Sequence, residues 1–278
     1  MKKIFITYGD LGYEKAKNKI VSEAKMTGEF TDFYAFDRKD LSHELLTSSI
    51  INIKRGGGLW SWKPDVILST MKNYQLGDYI VYCDAGCSIY LSNEWKNIWN
   101  KLDIHDIIVQ RSFHKSYKWT RREIIEYVNI PSRDWLFQYQ YLATVIIIKI
   151  SDFTLKLIED WRNIMINSPQ CAMDVGKEQL LEQHSGFIEN RHDQAIYSAL
   201  IYKYLNNNDF KNRIYTQWER FENYDFVYKQ AIRATRLRLG QKEKPKVRFI
   251  AGLKRLIKDF ILKPFYYSPI QWWYGRNK

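Results

Sequence analysis

Apolar residues along this chain fall into two recurring patterns. Short runs dense in Ile, Val, Phe and Tyr end at Gly, Asp or Pro, and between them lie stretches whose apolar positions repeat at helical spacing. Residues 2–9 (KKIFITYG) predict a first strand opening into a loop, and residues 11–28 a helix that stops at Gly28. Residues 30–37 (FTDFYAFD) alternate and are aromatic, as in a second strand. Residues 42–54 read as helical, residues 55–64 (RGGGLWSWKP) break the pattern, and Pro64 opens a helix running to residue 75. Gly77 and Asp78 end it, and residues 79–86 (YIVYCDAG) make the next strand. Then come a helix at 92–102 with Ser92 or Asn93 as its cap, a strand at 106–112, and a helix at 120–129 that stops before Pro131. A long β-rich run at 139–151, helices at 151–167 and 192–205, and a short strand at 212–218 complete the series. This alternation predicts an α/β fold with a mostly parallel sheet flanked by helices.

The 278 residues are 45% hydrophobic and 16% aromatic, enough to bury a full core and too aromatic for a disordered chain. The longest apolar run, ATVIIIKI, is far short of a bilayer span, and the N-terminal run ends too soon for a signal-peptide core. The expectation is a cytoplasmic protein without a transmembrane helix. Cys83, Cys87 and Cys171 lack the spacing of a disulfide framework or a zinc site and read as small buried thiols. Charge divides the chain. Residues 229–278 hold fourteen Lys/Arg against Glu243 and Asp259, and over residues 1–228 bases and acids balance. A neutral domain, 1–228, is thus expected to carry a basic tail, 229–278.

Four stretches could carry chemistry. Asp84 ends an apolar strand, followed by Ala85 and Gly86, which leave room for a bulky ligand. Its carboxylate could bind a divalent metal, a ribose hydroxyl or a backbone amide, or simply cap a turn. In RGGGLWSWKP three glycines let the backbone approach a ligand, Arg55 and Lys63 supply cations, and Trp60 and Trp62 offer stacking surfaces. Neither a Walker A nor a dinucleotide fingerprint fits this spacing. The competing reading is a glycine turn with two core tryptophans projecting the same way from an extended segment. In residues 189–198 (ENRHDQAIYS), Asp193 and Gln194 lie at a helix N-terminus, where the dipole favours a carboxylate and lowers its pKa. Asp193 could then serve as a base towards a hydroxyl, or act only as a cap. His192 is a candidate ligand, although a lone histidine is more often structural. Finally, Arg111, Lys118, Arg121 and Arg122 follow the strand at 106–112 and could meet an anion at the same sheet edge, or lie in a solvated loop.

The order GGGLWSWKP, then YCDAG, then RHDQ resembles the small GT-A-fold glycosyltransferases of bacterial capsule and O-antigen gene clusters, over most of residues 1–225. The resemblance implies a GT-A-like, Rossmann-like domain that moves a hexosyl unit from a nucleoside-diphosphate sugar, UDP-linked and with galactofuranose among the candidates. A lipid-linked or polysaccharide hydroxyl would be the acceptor. Asp84 matches the first position of the DxD motif that holds Mn2+ or Mg2+ against the diphosphate; the third position here is Gly86, which offers no ligand. The resemblance makes Asp193 the general base of an inverting reaction. Asp84, Ala85, Gly86, Lys63, Trp60, Trp62 and Arg55 fall on the donor side, and His192, Gln194 and Lys118 on the acceptor side or behind it.

From Lys246 onward, apolar residues at Val247, Phe249, Ile250, Leu253, Leu256, Ile257, Phe260 and Ile261 have helical spacing opposite a cationic face, and an aromatic segment follows. Such a tail suits an in-plane helix on an anionic membrane, on the inner face of the cytoplasmic membrane. The same residues could instead pack on the domain. The high pI also admits a nucleic-acid-binding protein, but the neutral body carries no helix-turn-helix, zinc-finger or RRM signature. A nucleotidyltransferase would show paired carboxylates, and a non-catalytic membrane scaffold would need none of the strand-end chemistry.

Overall fold

The computed structural model describes residues 1–222, 229–236 and 245–257. In chain order the elements are β1 (Lys3–Tyr8), α1 (Glu14–Thr27), β2 (Asp32–Phe36), α2 (His43–Thr47), a four-residue turn α3 (Gly56–Leu59), α4 (Trp62–Lys72), β3 (Tyr79–Cys83) and β4 (Ser88–Ile89). There follow α5 (Glu94–Ile104), β5 (Ile107–Lys115), α6 (Ser116–Trp119), α7 (Arg122–Val128), β6 (Tyr139–Tyr141) and β7 (Val145–Lys149). The chain continues through α8 (Asp152–Asn167), α9 (His192–Leu205), β8 (Ile214–Trp218), β9 (Ile232–Arg233) and α10 (Pro245–Leu256), with short 3-10 turns between.

Seven strands form one mixed sheet in the order β2-β1-β3-β7-β5-β6, with β8 on the other side of β5. β2, β1, β3, β5 and β8 run one way, and β6 and β7 run against them. The long run at 139–151 is therefore two strands, broken between Tyr141 and Val145, both antiparallel to their neighbours. The expected α/β architecture, a mostly parallel sheet between helices, is the one observed.

Side-chain alternation splits the core in two. Ile4, Ile6, Tyr82, Ile146 and Ile148 face α4, α8 and α9, whereas Phe5, Val81, Ile147 and Ile108 face α1 and α5 through Ile20, Trp95 and Trp99. β3 is buried along its whole length, as its unbroken apolar run requires. α1 ends at Gly28, whose left-handed φ of 69° closes the helix. Ser151 starts α8 with a reciprocal cap to Thr154. The three cysteines are buried free thiols.

The glycine segment folds in an unexpected hand. Gly56, Gly57, Gly58, Leu59 and Trp60 all have positive φ, between 54° and 97°, so the chain makes one left-handed turn before α4. Leu59 and Trp60 each bear roughly 1–2 kcal/mol of steric cost in that conformation. A side chain at Gly56 would meet the Trp60 ring at 2.6 Å, and one at Gly58 the Ile51 backbone at 3.0 Å. A side chain at Gly57 would make only ordinary contacts, with Trp62 Nε1 at 3.8 Å and Asp10 Oδ2 at 3.9 Å, so its φ of 58° alone favours glycine. The turn separates the two tryptophans instead of aligning them. Trp60 reaches towards His192, at 5.4 Å between ring centroids, and Trp62 stacks on Tyr8 at 4.1 Å.

Residues 229–236, on the basic side of the charge boundary, pack on the body. Ile232 and Arg233 pair antiparallel with Ile89 and Ser88, and Ala231 and Ile232 are buried.

Candidate active site

β1 and β3 end side by side, joined by a hydrogen bond from Thr7 Oγ1 to the Cys83 carbonyl (2.8 Å). Beyond this edge lies a cavity of about 380 Å³ between the left-handed turn, the turn after β3 and the start of α9. Ligands of open α/β sheets bind at such carboxyl-terminal edges.

Asp84 begins a β-turn closed by Cys87 N–H donating to the Asp84 carbonyl (2.9 Å). Its carboxylate does more than end a strand. Oδ1 accepts the Tyr82 hydroxyl at 2.6 Å and lies 3.4 Å from the Lys63 ammonium. Lys63, in the first turn of α4 and buried, donates to Asp193 Oδ2 at 2.8 Å. One cation thus bridges two carboxylates that lie 109 residues apart in the chain. Burial works against the Lys63 charge, but Asp193 and Asp84 outweigh it and raise its pKa above the ordinary lysine value. Burial also raises Asp193 above the ordinary aspartate value, against the pull of Lys63. The expected lowering by the helix dipole is overridden, because Asp193 is almost wholly removed from solvent.

His192, at the start of α9, takes a left-handed φ of 48°. Its Nδ1 lies 2.7 Å from the Ala172 carbonyl and so carries the proton in that bond, leaving Nε2 facing Asp174 at 3.6 Å. Asp174 in turn holds Arg55 at 2.7 Å. Gln194 lines the cavity and donates to Gln140 Oε1 (2.9 Å). The Gly86 carbonyl accepts from Thr235 Oγ1 (2.8 Å), so the segment around β9 fastens the Asp84 turn.

The cavity brings together Arg55, Trp60, Lys63, Asp84, Gly86, His192, Asp193 and Gln194. It does not bring in three other candidates. Trp62 packs on Tyr8 and donates its indole N–H to the Gly56 carbonyl (3.0 Å). Ala85 is buried beneath the turn. Lys118 contributes through its backbone carbonyl, which accepts from Ile188 N at 2.8 Å, and its ammonium lies over the Tyr117 ring. Nor do Arg121 and Arg122 line the cavity: Arg121 pairs with Glu123 and the Met173 carbonyl, and Arg122 with Glu126. Sequence reading passed over Tyr82 and Arg191, although both stand inside the motifs it singled out. It also passed over Arg236, which reaches the wall only because β9 folds back, and no local signal marks that.

Among the described residues no group of three or more His, Cys, Asp or Glu is placed to hold a metal ion. At Asp84 the donor set suits Mn2+ or Mg2+ poorly. Oδ1 is engaged by a hydroxyl and an ammonium, Gly86 supplies no side chain, and the Lys63 charge at 3.4 Å repels a second cation.

No protein-family model and no curated protein matches the chain. Among solved structures, it is similar to a glycosyltransferase involved in glycosylation of the major capsid of PBCV-1, at 11% identity, covering 82% of this chain and 87% of that one, with a TM-score of 0.40. It is similar to the galactosyltransferase LgtC in complex with donor and acceptor sugar analogs, at 14% identity over 81% of this chain and 76% of that one, TM-score 0.40. A third is mouse xyloside xylosyltransferase 1, at 9% identity over 78% and 85%, TM-score 0.41. Identities of this size leave the chemistry to be argued from the residues themselves.

Proposed function

We propose that the protein is a glycosyltransferase that moves a hexosyl unit from a UDP-sugar, galactofuranose among the candidates, to a hydroxyl of a lipid-linked or polysaccharide acceptor. A role in capsule or O-antigen synthesis would follow. The observation that carries this reading is the convergence of Lys63, Asp84 and Asp193. Three separate motifs meet as one ion cluster in one cavity, with Lys63 and Asp193 buried and Asp84 partly exposed.

In the proposed reaction the acceptor oxygen attacks the anomeric carbon from the face opposite the diphosphate. The bond from that carbon to the phosphate oxygen breaks, and the diphosphate leaves with the electron pair. Asp193, kept as a carboxylate by Lys63, takes the acceptor proton. Its raised pKa makes it a better base than an exposed aspartate would be. Lys63 offsets charge that develops on the leaving group. Asp84, fixed by the Tyr82 hydroxyl, would accept hydrogen bonds from donor hydroxyls. The Trp60 face, which lines the cavity, would stack on a sugar or base.

A panel of sugar nucleotides tests the reading directly. At about a hundred times its Kd, the correct donor should raise Tm by roughly 5 °C or more. A panel in which no nucleotide sugar shifts the melt removes this function.

The tail fits the same setting. In α10 the residues Ile250, Leu253 and Leu256 are exposed, as are Lys254 and, just past its end, Ile257. Phe260, Ile261 and the aromatic segment after them lie outside the described residues, among which no helix is long and apolar enough to cross a membrane. An amphipathic cationic helix of this kind lies in the plane of an anionic bilayer, which would hold the enzyme at the inner face of the cytoplasmic membrane beside a lipid-linked acceptor. Deleting residues 246–278 should release the protein from anionic liposomes in a flotation assay; equal flotation of both forms argues against the anchor.

A further inference from the structure

The cations of the cavity are not all matched to carboxylates. Arg55 is held by Asp174 and Arg236 by Glu222, each at 2.7 Å, and Lys63 lies between Asp84 and Asp193. Arg191 lines the same wall, and among the described residues no carboxylate forms an ion pair with it. Its guanidinium lies over the Trp119 ring, with Cζ 4.5 Å from the centroid, and Nη2 meets His114 Nε2 at 3.1 Å. Its Nε is buried with no hydrogen-bond partner among the described residues. Burial lowers the Arg191 pKa; the Glu189 and Glu222 carboxylates act against it, and Arg236 and Arg55 with it.

Holding the half-buried Arg191 charge near Arg55 and Arg236 costs the fold stability, a cost that Glu189 and Glu222 offset only in part. An anion docked among them offsets that cost. A planar fork held over an indole is also prepared for bidentate contact with phosphate oxygens, since part of its freedom is already lost. The Asp84 carboxylate, the candidate ligand of a divalent ion, is already engaged by Tyr82 and Lys63.

We infer that Arg191 is the principal anion-binding residue of this cavity and takes a diphosphate group directly, with no divalent cation between protein and phosphate. As far as the diphosphate belongs to a nucleotide, this rests on the reading of the cavity as a sugar-nucleotide site. A lipid-linked diphosphate presents the same chemistry.

Calorimetric titration of the full chain with UDP, GDP, pyrophosphate and dodecyl diphosphate, in EDTA and in Mn2+, tests it. UDP should bind in EDTA within about threefold of its affinity in Mn2+. Arg191→Met should weaken UDP and pyrophosphate roughly tenfold or more. Arg191→Lys keeps the alkyl stem and the charge but loses the fork, and should fall between the two. If both variants match the wild type while UDP still binds, Arg191 is not the ligand and the sugar-nucleotide reading survives. Binding of UDP only in Mn2+ overturns direct capture. Preference for dodecyl diphosphate over UDP, with the same dependence on Arg191, supports the anion site and makes its ligand lipid-linked. No binding of any diphosphate in either buffer overturns both readings.

Discussion

Lys63→Met is expected to destabilise the protein by about 3–5 kcal/mol at neutral pH, because it leaves Asp193 and Asp84 together without their shared cation. Urea denaturation should show the loss as a lower midpoint at an unchanged slope. The pH dependence identifies the cause. In the wild type the Lys63 pKa is raised on folding, so its contribution is complete below the ordinary lysine pKa of 10.5 and is lost as pH rises through the higher folded value. In the variant, Asp193 lacks its cation and its pKa rises further. The variant should therefore lose stability as pH climbs from the unfolded aspartate value towards that raised one, and regain it in acid. Adding Asp193→Asn should restore part of the loss. A Lys63→Met protein as stable as the wild type across this range would dispose of the bridging role.

Asp193→Asn alone tests catalysis. Transfer should fall by roughly 10²–10⁴-fold, the usual contribution of a positioned general base. UDP-sugar affinity should change little, because an amide oxygen still accepts from Lys63 and the diphosphate contacts are untouched. Transfer assays and calorimetry on the same preparation separate the two effects. Equal transfer rates would remove Asp193 from the reaction; equal loss of binding and turnover would make it a structural partner of Lys63.

Much of this arrangement is legible in the chain. β1 and β3 announce themselves as apolar runs ending in Gly or Asp, and the amphipathic pattern of α8 matches its buried stripe. The direction of β7 is not legible, because Val145–Lys149 has the composition of a central parallel strand and pairing partners are set by distant residues. The helix expected over 42–54 divides, since Ser48 leaves helical geometry and its hydroxyl bonds back to the Leu45 carbonyl (2.6 Å). Three glycines signal a bend at 56–58 but not its left hand, which depends on the contacts of Trp60 and Ile51. The acids at 84 and 193 stand out by position, at a strand end and a helix start. That Lys63 joins them is a tertiary fact, as is the arrival of Arg236.

The pairing of β9 with β4 sets where this protein can be divided. The shift in charge at residue 229 marks a change of surface, whereas the packing of the body takes in residues 229–236. A fragment cut at 228 would lose an edge strand, the Thr235 latch on the Gly86 carbonyl and the Arg236 side of the cavity. A portable module for grafting or fusion therefore needs those eight residues, and a swap of tails between related chains should be spliced after them.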